Sequence, residues 1–179
     1  MSFSLNEVEA TARKAARGAG YAWGMADEAG SAVRWLCAHG IDGCAALAGL
    51  VQADGEAGVC PLVTGCMIAD LGVAQAEFAQ VRVPVLVVPF VARMAQAKAC
   101  RVALVTDHGK AVIDGDGVMM RGDLHRTATI QMAVTADLLD PPQTASRAVP
   151  DAADWAILNA FAQRTYAPAT EESRRKGAG

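Results

Sequence analysis

The hydrophobic period of the chain changes near residue 100, and that change limits the fold more than any other feature. Before it, apolar residues recur every three to four positions, as in helices with one buried face; after it, as far as residue 134, they alternate, as in strands with one face on a core. Leu5, Val8, Ala12, Ala15 and Ala19 trace a first helical stripe that Gly18 and Gly20 bring to an end. Ser4-Leu5-Asn6-Glu7 ahead of it fits a capping box, in which the Ser hydroxyl takes the third backbone N–H and the Glu carboxylate reaches back. Glu9 stands four residues before Arg13, the spacing of a helical ion pair. Ala22, Ala26, Ala29, Val33 and Leu36 predict a second helix stopped at Gly40, and Gly43 to Gln52 predicts a third. Loop signals run from Gly55 to Gly65; Met67 to Gln80 reads as a helix interrupted at Gly72, Val81 to Val91 as a strand or buried connection, and Phe90 to Ala99 as helix.

Beyond the change, Arg101 to Thr106 and Lys110 to Ile113 flank Asp107-His108-Gly109, a hairpin connection whose Gly suits a left-handed position. Asp114-Gly115-Asp116-Gly117 makes a second turn, and Val118 to Arg121 a further strand. Leu124 to Val134 alternates, with Ala128, Ile130, Met132 and Val134 on one face and His125, Thr127, Thr129 and Gln131 on the other. A linker over 140–146 leads to a helix opening at Pro150 or Asp151, with Asp154 in its first turn and Trp155, Leu158 and Ala162 on one face. Pro168 ends that unit, and the tail holds Glu171 with Arg175 and Glu172 with Lys176 at helical spacing. The pattern predicts a single α+β domain over 1–179: an N-terminal bundle of short helices (about 4–99), a central antiparallel sheet (about 101–135), and C-terminal helices (about 150–176) packed on the core.

Apolar side chains make up 53% of the 179 residues, which excludes intrinsic disorder. A net charge of -3 is too mild to steer nucleic acid over the whole surface, and no nucleic-acid partner is expected. The longest uncharged apolar run, Val83 to Ala92, contains Pro84 and Pro89 and falls short of the about 20 residues of a membrane span. Five Cys, an odd set, and an N-terminus without the basic and apolar regions of a signal peptide lead us to expect reduced thiols and a cytoplasmic protein.

Four residues stand out as candidate ligand contacts. Asp107 and His108 set a carboxylate beside an imidazole, which can tune a His toward general-base work, and which is equally ordinary turn chemistry. His125, on the polar face of its strand, lines a cleft if that face is covered and is otherwise solvated. Arg126 falls by alternation with Ala128 and Ile130, where a guanidinium requires a small anionic ligand or an internal carboxylate, unless it reaches out at the strand end. Asp114-Gly115-Asp116-Gly117 fails as a calcium loop because Val112 takes the first ligand position. Cys37 and Cys44, and Cys60 and Cys66, are spaced unlike zinc hooks, so neither metal nor cofactor is expected; Cys60, beside Pro61, is the most accessible thiol.

Several stretches together resemble a family of bacterial proteins catalogued only as a domain of unknown function: Ser4-Leu5-Asn6-Glu7, Ala15 to Tyr21, Arg34-Trp35-Leu36-Cys37, Asp42 to Leu47, and Arg164 to Glu171. That resemblance implies no activity, cofactor or catalytic residue. Residues 5–47, through Gly40-Ile41-Asp42-Gly43, are similar to the start of the malate and lactate dehydrogenase family that lacks a Rossmann fold. That family places Ser-His-Gly after the Asp, whereas Gly43, Cys44 and Ala45 follow Asp42 here, so the catalytic His has no counterpart. The reading is an accessory or ligand-binding protein, a homodimer through its Ala, Gly and Trp surfaces. The alternative is a small-molecule enzyme whose site lies between the helical half and the sheet and uses His125 or His108 with Arg126.

Overall fold

The computed structural model describes residues 1–53, 57–138, 140 and 144–165. Helix α1 (Leu5–Gly18) opens on the capping box: Ser4 Oγ accepts from the Glu7 N–H at 3.2 Å and Glu7 Oε2 accepts from the Ser4 N–H at 2.7 Å. Its stripe of Val8, Ala12, Ala15 and Ala16 is buried against α2 (Trp23–Ala38). Glu9 and Arg13 do not pair with each other; both charges bridge to α2, Glu9 taking Arg34 at 3.1 Å and Arg13 facing Asp27 at 3.6 Å. Helix α3 (Gly43–Gln52) starts on Asp42, whose carboxylate accepts the Ala45 N–H.

The next two elements depart from the periodicity. Helix α4 (Pro61–Leu71) begins inside the stretch that reads as loop, because Pro61 supplies its first turn, and it ends at Gly72 with φ 64°. The residues expected to continue it form strand β2 (Ala76–Val81) instead. Of the two alternatives for Val81 to Val91, the stretch beyond the end of β2 is the buried connection and not a strand: a 3-10 turn at Pro84–Val87 runs into α5 (Val88–Lys98), and both prolines sit in first turns, where a missing N–H breaks no helical bond. The apolar run is thus buried all round, as a central helix requires. At Gly65 a Cβ would lie 2.3 Å from the Phe90 ring, so α4 and α5 meet through that glycine.

Strands β3 (Val102–Val105), β4 (Gly109–Ile113), β5 (Val118–Gly122) and β6 (Ala128–Val134) join β2 in an antiparallel sheet of order β2-β6-β3-β4-β5. The register sets Val102, Leu104, Ala111, Ile113, Ile130 and Met132 on one buried face, toward α4 and α5. Lys110, Thr129, Gln131 and Glu77 occupy the other. Strand β6 is shorter than its alternation suggests, and Val134 is 59% exposed at its end. Two backbone bonds explain its late start: the Asp123 carboxylate accepts the His125 N–H, and the Leu124 carbonyl accepts the Val85 N–H, tying this segment to the 3-10 turn.

The last described helix, α6 (Ala152–Gln163), is capped by Asp151 and buries Leu158 and Ala162 against α1 and α3. It approaches α1 so closely that a Cβ on Gly18 would sit 1.8 Å from the Phe161 carbonyl oxygen. A short pair, β1 (Phe3–Ser4) with β7 (Arg147–Ala148), and the stacking of Phe3 on Trp155 at 4.0 Å fasten the two ends together. The architecture is α+β, with the helices segregated from an antiparallel sheet and the C-terminal helix on the core. Pro168, the tail pairs of 170–176 and most of the Arg164 to Glu171 stretch lie outside the described residues.

Candidate functional site

Of the four residues singled out in the sequence, Asp107 and His108 stand together on one turn, and His125 and Arg126 lie in the segment just ahead of β6. Asp107 and His108 occupy the β3–β4 turn, where Asp107 Oδ2 stands 3.4 Å from His108 Nε2. That turn is closed by Thr106, whose hydroxyl accepts the N–H groups of His108 and Gly109. Gly109 does not take the expected left-handed conformation; Gly122 opposite it does, with φ 80°, and a Cβ there would lie 2.4 Å from the His108 carbonyl oxygen. Asp107 lines a cleft of about 500 Å³ at the end of the sheet together with Gln80, Val105, Thr127 and Gln131. His108, His125 and Arg126 are not among the lining residues of that cleft, and no helix contributes to it.

His125 and Arg126 are both exposed, in the segment that precedes β6 rather than within it. The inward position that alternation assigned to Arg126 is therefore corrected: the turn at Asp123 ends the strand phase before Arg126 is reached. His125 faces the start of α6, where it draws the Asp154 carboxyl down while burial and the carboxylates of Asp42 and Asp151 push it up by more. Asp114, in the second turn, spends one oxygen on the N–H groups of Asp116 and Gly117 and sets the other 3.6 Å from Arg101 Nε.

A better-formed concavity lies between α2 and α5, a groove of about 280 Å³. On α2, Glu28, Ser31, Ala32 and Trp35 share a face because they stand three and four residues apart. Phe90, Arg93 and Gln96 supply the α5 side, and Gly115 of the β4–β5 turn closes one end. Trp35 is fixed by stacking on His39 at 3.8 Å, and the His39 Nδ1 lies 2.7 Å from the Trp35 carbonyl oxygen. Phe90 is 2% exposed, while Glu28 and Arg93 meet at 3.1 Å at the surface. The Arg93 guanidinium also lies 5.2 Å from the Phe90 ring centre. Aromatic walls and a small number of oriented polar groups are the composition of a small-molecule site.

The chemistry nearest this groove is muted. Burial first, then the carboxylates of Glu28 and Asp70, push the Cys66 thiol up, so it stays protonated and a poor nucleophile near neutrality. Cys37 and Cys44 are both buried and hydrogen-bond to each other where α2 gives way to α3. Donating to Cys37, and then burial, push the Cys44 thiol far above its ordinary range; Cys37, which accepts from Cys44, is drawn down. Among the described residues no three His, Cys, Asp or Glu side chains converge as a metal site would require, and no disulfide forms. The groove escaped sequence reasoning for a topological reason. The shared face of Glu28, Ser31 and Trp35 is visible on α2, but nothing local announces that α5 lies opposite.

With this geometry in place, comparison with known families is informative. Residues 3–83 match DUF3726, a family described as protein of unknown function. The DUF3726 match takes in α1 to α4 and β2 and stops at the bend into the 3-10 turn, so the groove is built from one wall inside it and one outside. No curated protein and no solved structure matches the chain. Asp42, which carried the likeness to the dehydrogenases, is occupied in capping α3.

Proposed function

We propose that the protein is a cytoplasmic ligand-binding or accessory protein that holds a small, partly aromatic molecule in the α2–α5 groove without transforming it. The observation that carries this reading is the pairing of the Trp35 and Phe90 walls with the Glu28–Arg93 ion pair, beside a cysteine kept protonated. A flat apolar body lies against the Trp35 ring, above a floor that Phe90 closes, and a charged head group exchanges for one member of the ion pair. The five free cysteines support a reducing compartment. Benzoate and benzylamine serve as probes, one presenting an anion to Arg93 and the other a cation to Glu28. We expect at least one to give saturable shifts of the Trp35 indole and Gln96 amide resonances, abolished by Ser31→Trp, which fills the groove from an exposed position. No response to either probe, or an unchanged response in the S31W variant, rejects the reading.

The dimer belongs to the same proposal. Val63, Met67 and Leu71 follow one another at four-residue spacing on the outer face of α4, 51%, 41% and 71% exposed, with Val59 just ahead at 46%. Such a stripe amounts to a few hundred Å², the apolar centre of an interface of about 800 Å² per partner. A second copy of α4 related by a two-fold axis would cover it with an identical stripe.

A further inference from the structure

We propose that a cavity of about 260 Å³ between the C-terminal ends of α1 and α3 is a binding site for a small oxyanion, phosphate or carboxylate, held by the guanidinium of Arg82. Its walls are Ala19, Gly20, Tyr21, Leu50 and Val51, and Arg82 is the one charged residue in the lining. The Arg82 Nη1 donates to the Ala53 carbonyl at 2.9 Å, and its Nε is buried with no acceptor. A guanidinium has five N–H donors in a fork matched to carboxylate and phosphate, and among the described residues most of this fork is unused. Among the described residues, neither Arg82 nor its neighbour Arg17 has an acidic partner. Arg17, outside the lining, donates from Nη1 to the carbonyl of Tyr21 at 2.9 Å and lies 5.1 Å from the Trp23 ring centre.

The backbone is distorted on both sides of Arg82. Gln80 has φ 52° and Val83 φ 43°, and the register of β2 on β6 shifts between Phe78 and Val81. A β-branched residue in the left-handed region, directly before a proline, is held there only when its surroundings demand it, and such strain collects at ligand sites. The stem of Arg82 is also confined: a Cβ on Gly58 would stand 2.8 Å from its Cγ, and its N–H donates to the Val59 carbonyl at 3.0 Å. The side chain is therefore aimed before any ligand arrives. The cavity is separate from the α2–α5 groove, and all of its lining falls within residues 3–83.

The test follows the Arg82 Nε–H resonance of the unmodified protein, assigned through bonds from its own backbone, during titrations with inorganic phosphate and with acetate against chloride at matched ionic strength. We expect saturable movement with at least one oxyanion, phosphate alone marking a phosphoryl ligand and acetate a carboxylate. Arg82→Lys, which keeps the charge but loses the fork, weakens that binding by at least about tenfold, and Arg121→Gln on exposed β5 leaves it unchanged. No movement, or movement equal to that in chloride, overturns the proposal. The Trp35 indole is read in the same spectra, so failure at Arg82 and failure of the groove are recorded separately.

Discussion

Ser4 and Glu7 satisfy two of the N–H groups that would otherwise be left without partners where α1 begins. Removing the hydroxyl in Ser4→Ala should cost about 1 kcal/mol, read as a lower urea midpoint at unchanged slope. The Ser4 hydroxyl first, then the Ser4 backbone N–H, hold the Glu7 carboxyl below its ordinary range. A carboxyl lowered in the folded state adds stability above its unfolded pKa of about 4.5 and loses it as pH falls through the folded value. The gap between wild type and S4A should therefore narrow through the acid range, and a gap that stays constant contradicts this account. Both residues were legible in the sequence because a capping box is a local pattern of fixed spacing. Arg126 was left between an inward position and one reaching out at the strand end because alternation reports a phase but not where the strand begins; β6 begins at Ala128 and Arg126 is exposed. Arg82 gave no signal at all: its bend is made by Gln80 and Val83, without the Gly or Asn that marks a left-handed residue.

At the scale of elements, the two glycines Gly18 and Gly24 lie in helices for different reasons. A methyl at Gly18 would collide with the backbone of α6, so Gly18→Ala should destabilise by at least about 2 kcal/mol and speed hydrogen exchange along α6. Gly24 has nothing within 4 Å of where its Cβ would be, so Gly24→Ala should stabilise by about 0.5–1 kcal/mol through helix propensity alone. Equal effects of the two substitutions in urea unfolding would show that the α1–α6 contact does not constrain the fold as described. The first three helices were legible to within a residue because caps and stripes agree there. Helix α4 was not, since it is apolar on its outer face as well as its inner one and so lacks the contrast from which a period is read.

For the whole molecule, that unmatched α4 face leads to a test of mass rather than of stability. Light scattering along a dilution series should find a species of twice the 18.5 kDa chain that dissociates on dilution, and Leu71→Lys should leave only the single chain. A mass of 18.5 kDa at every concentration removes the dimer. The layering of helices beside an antiparallel sheet was legible because the hydrophobic period changes near residue 100. Which helix faces which was not, because contacts such as α1 with α6 join residues far apart in the chain.

The fastening of the two ends has a further consequence, for the order in which the molecule is made. Arg147 bonds to Ser2 across 145 positions, and α6 completes a bundle whose partners α1 and α3 leave the ribosome well before it does. Until residue 163 has emerged, the flank of α1 that receives Leu158 and Phe161 stays wet. Closure of so long a loop belongs to the slow, non-local part of folding. During synthesis, then, α1 and α3 can form early but cannot be sealed until α6 has followed them out.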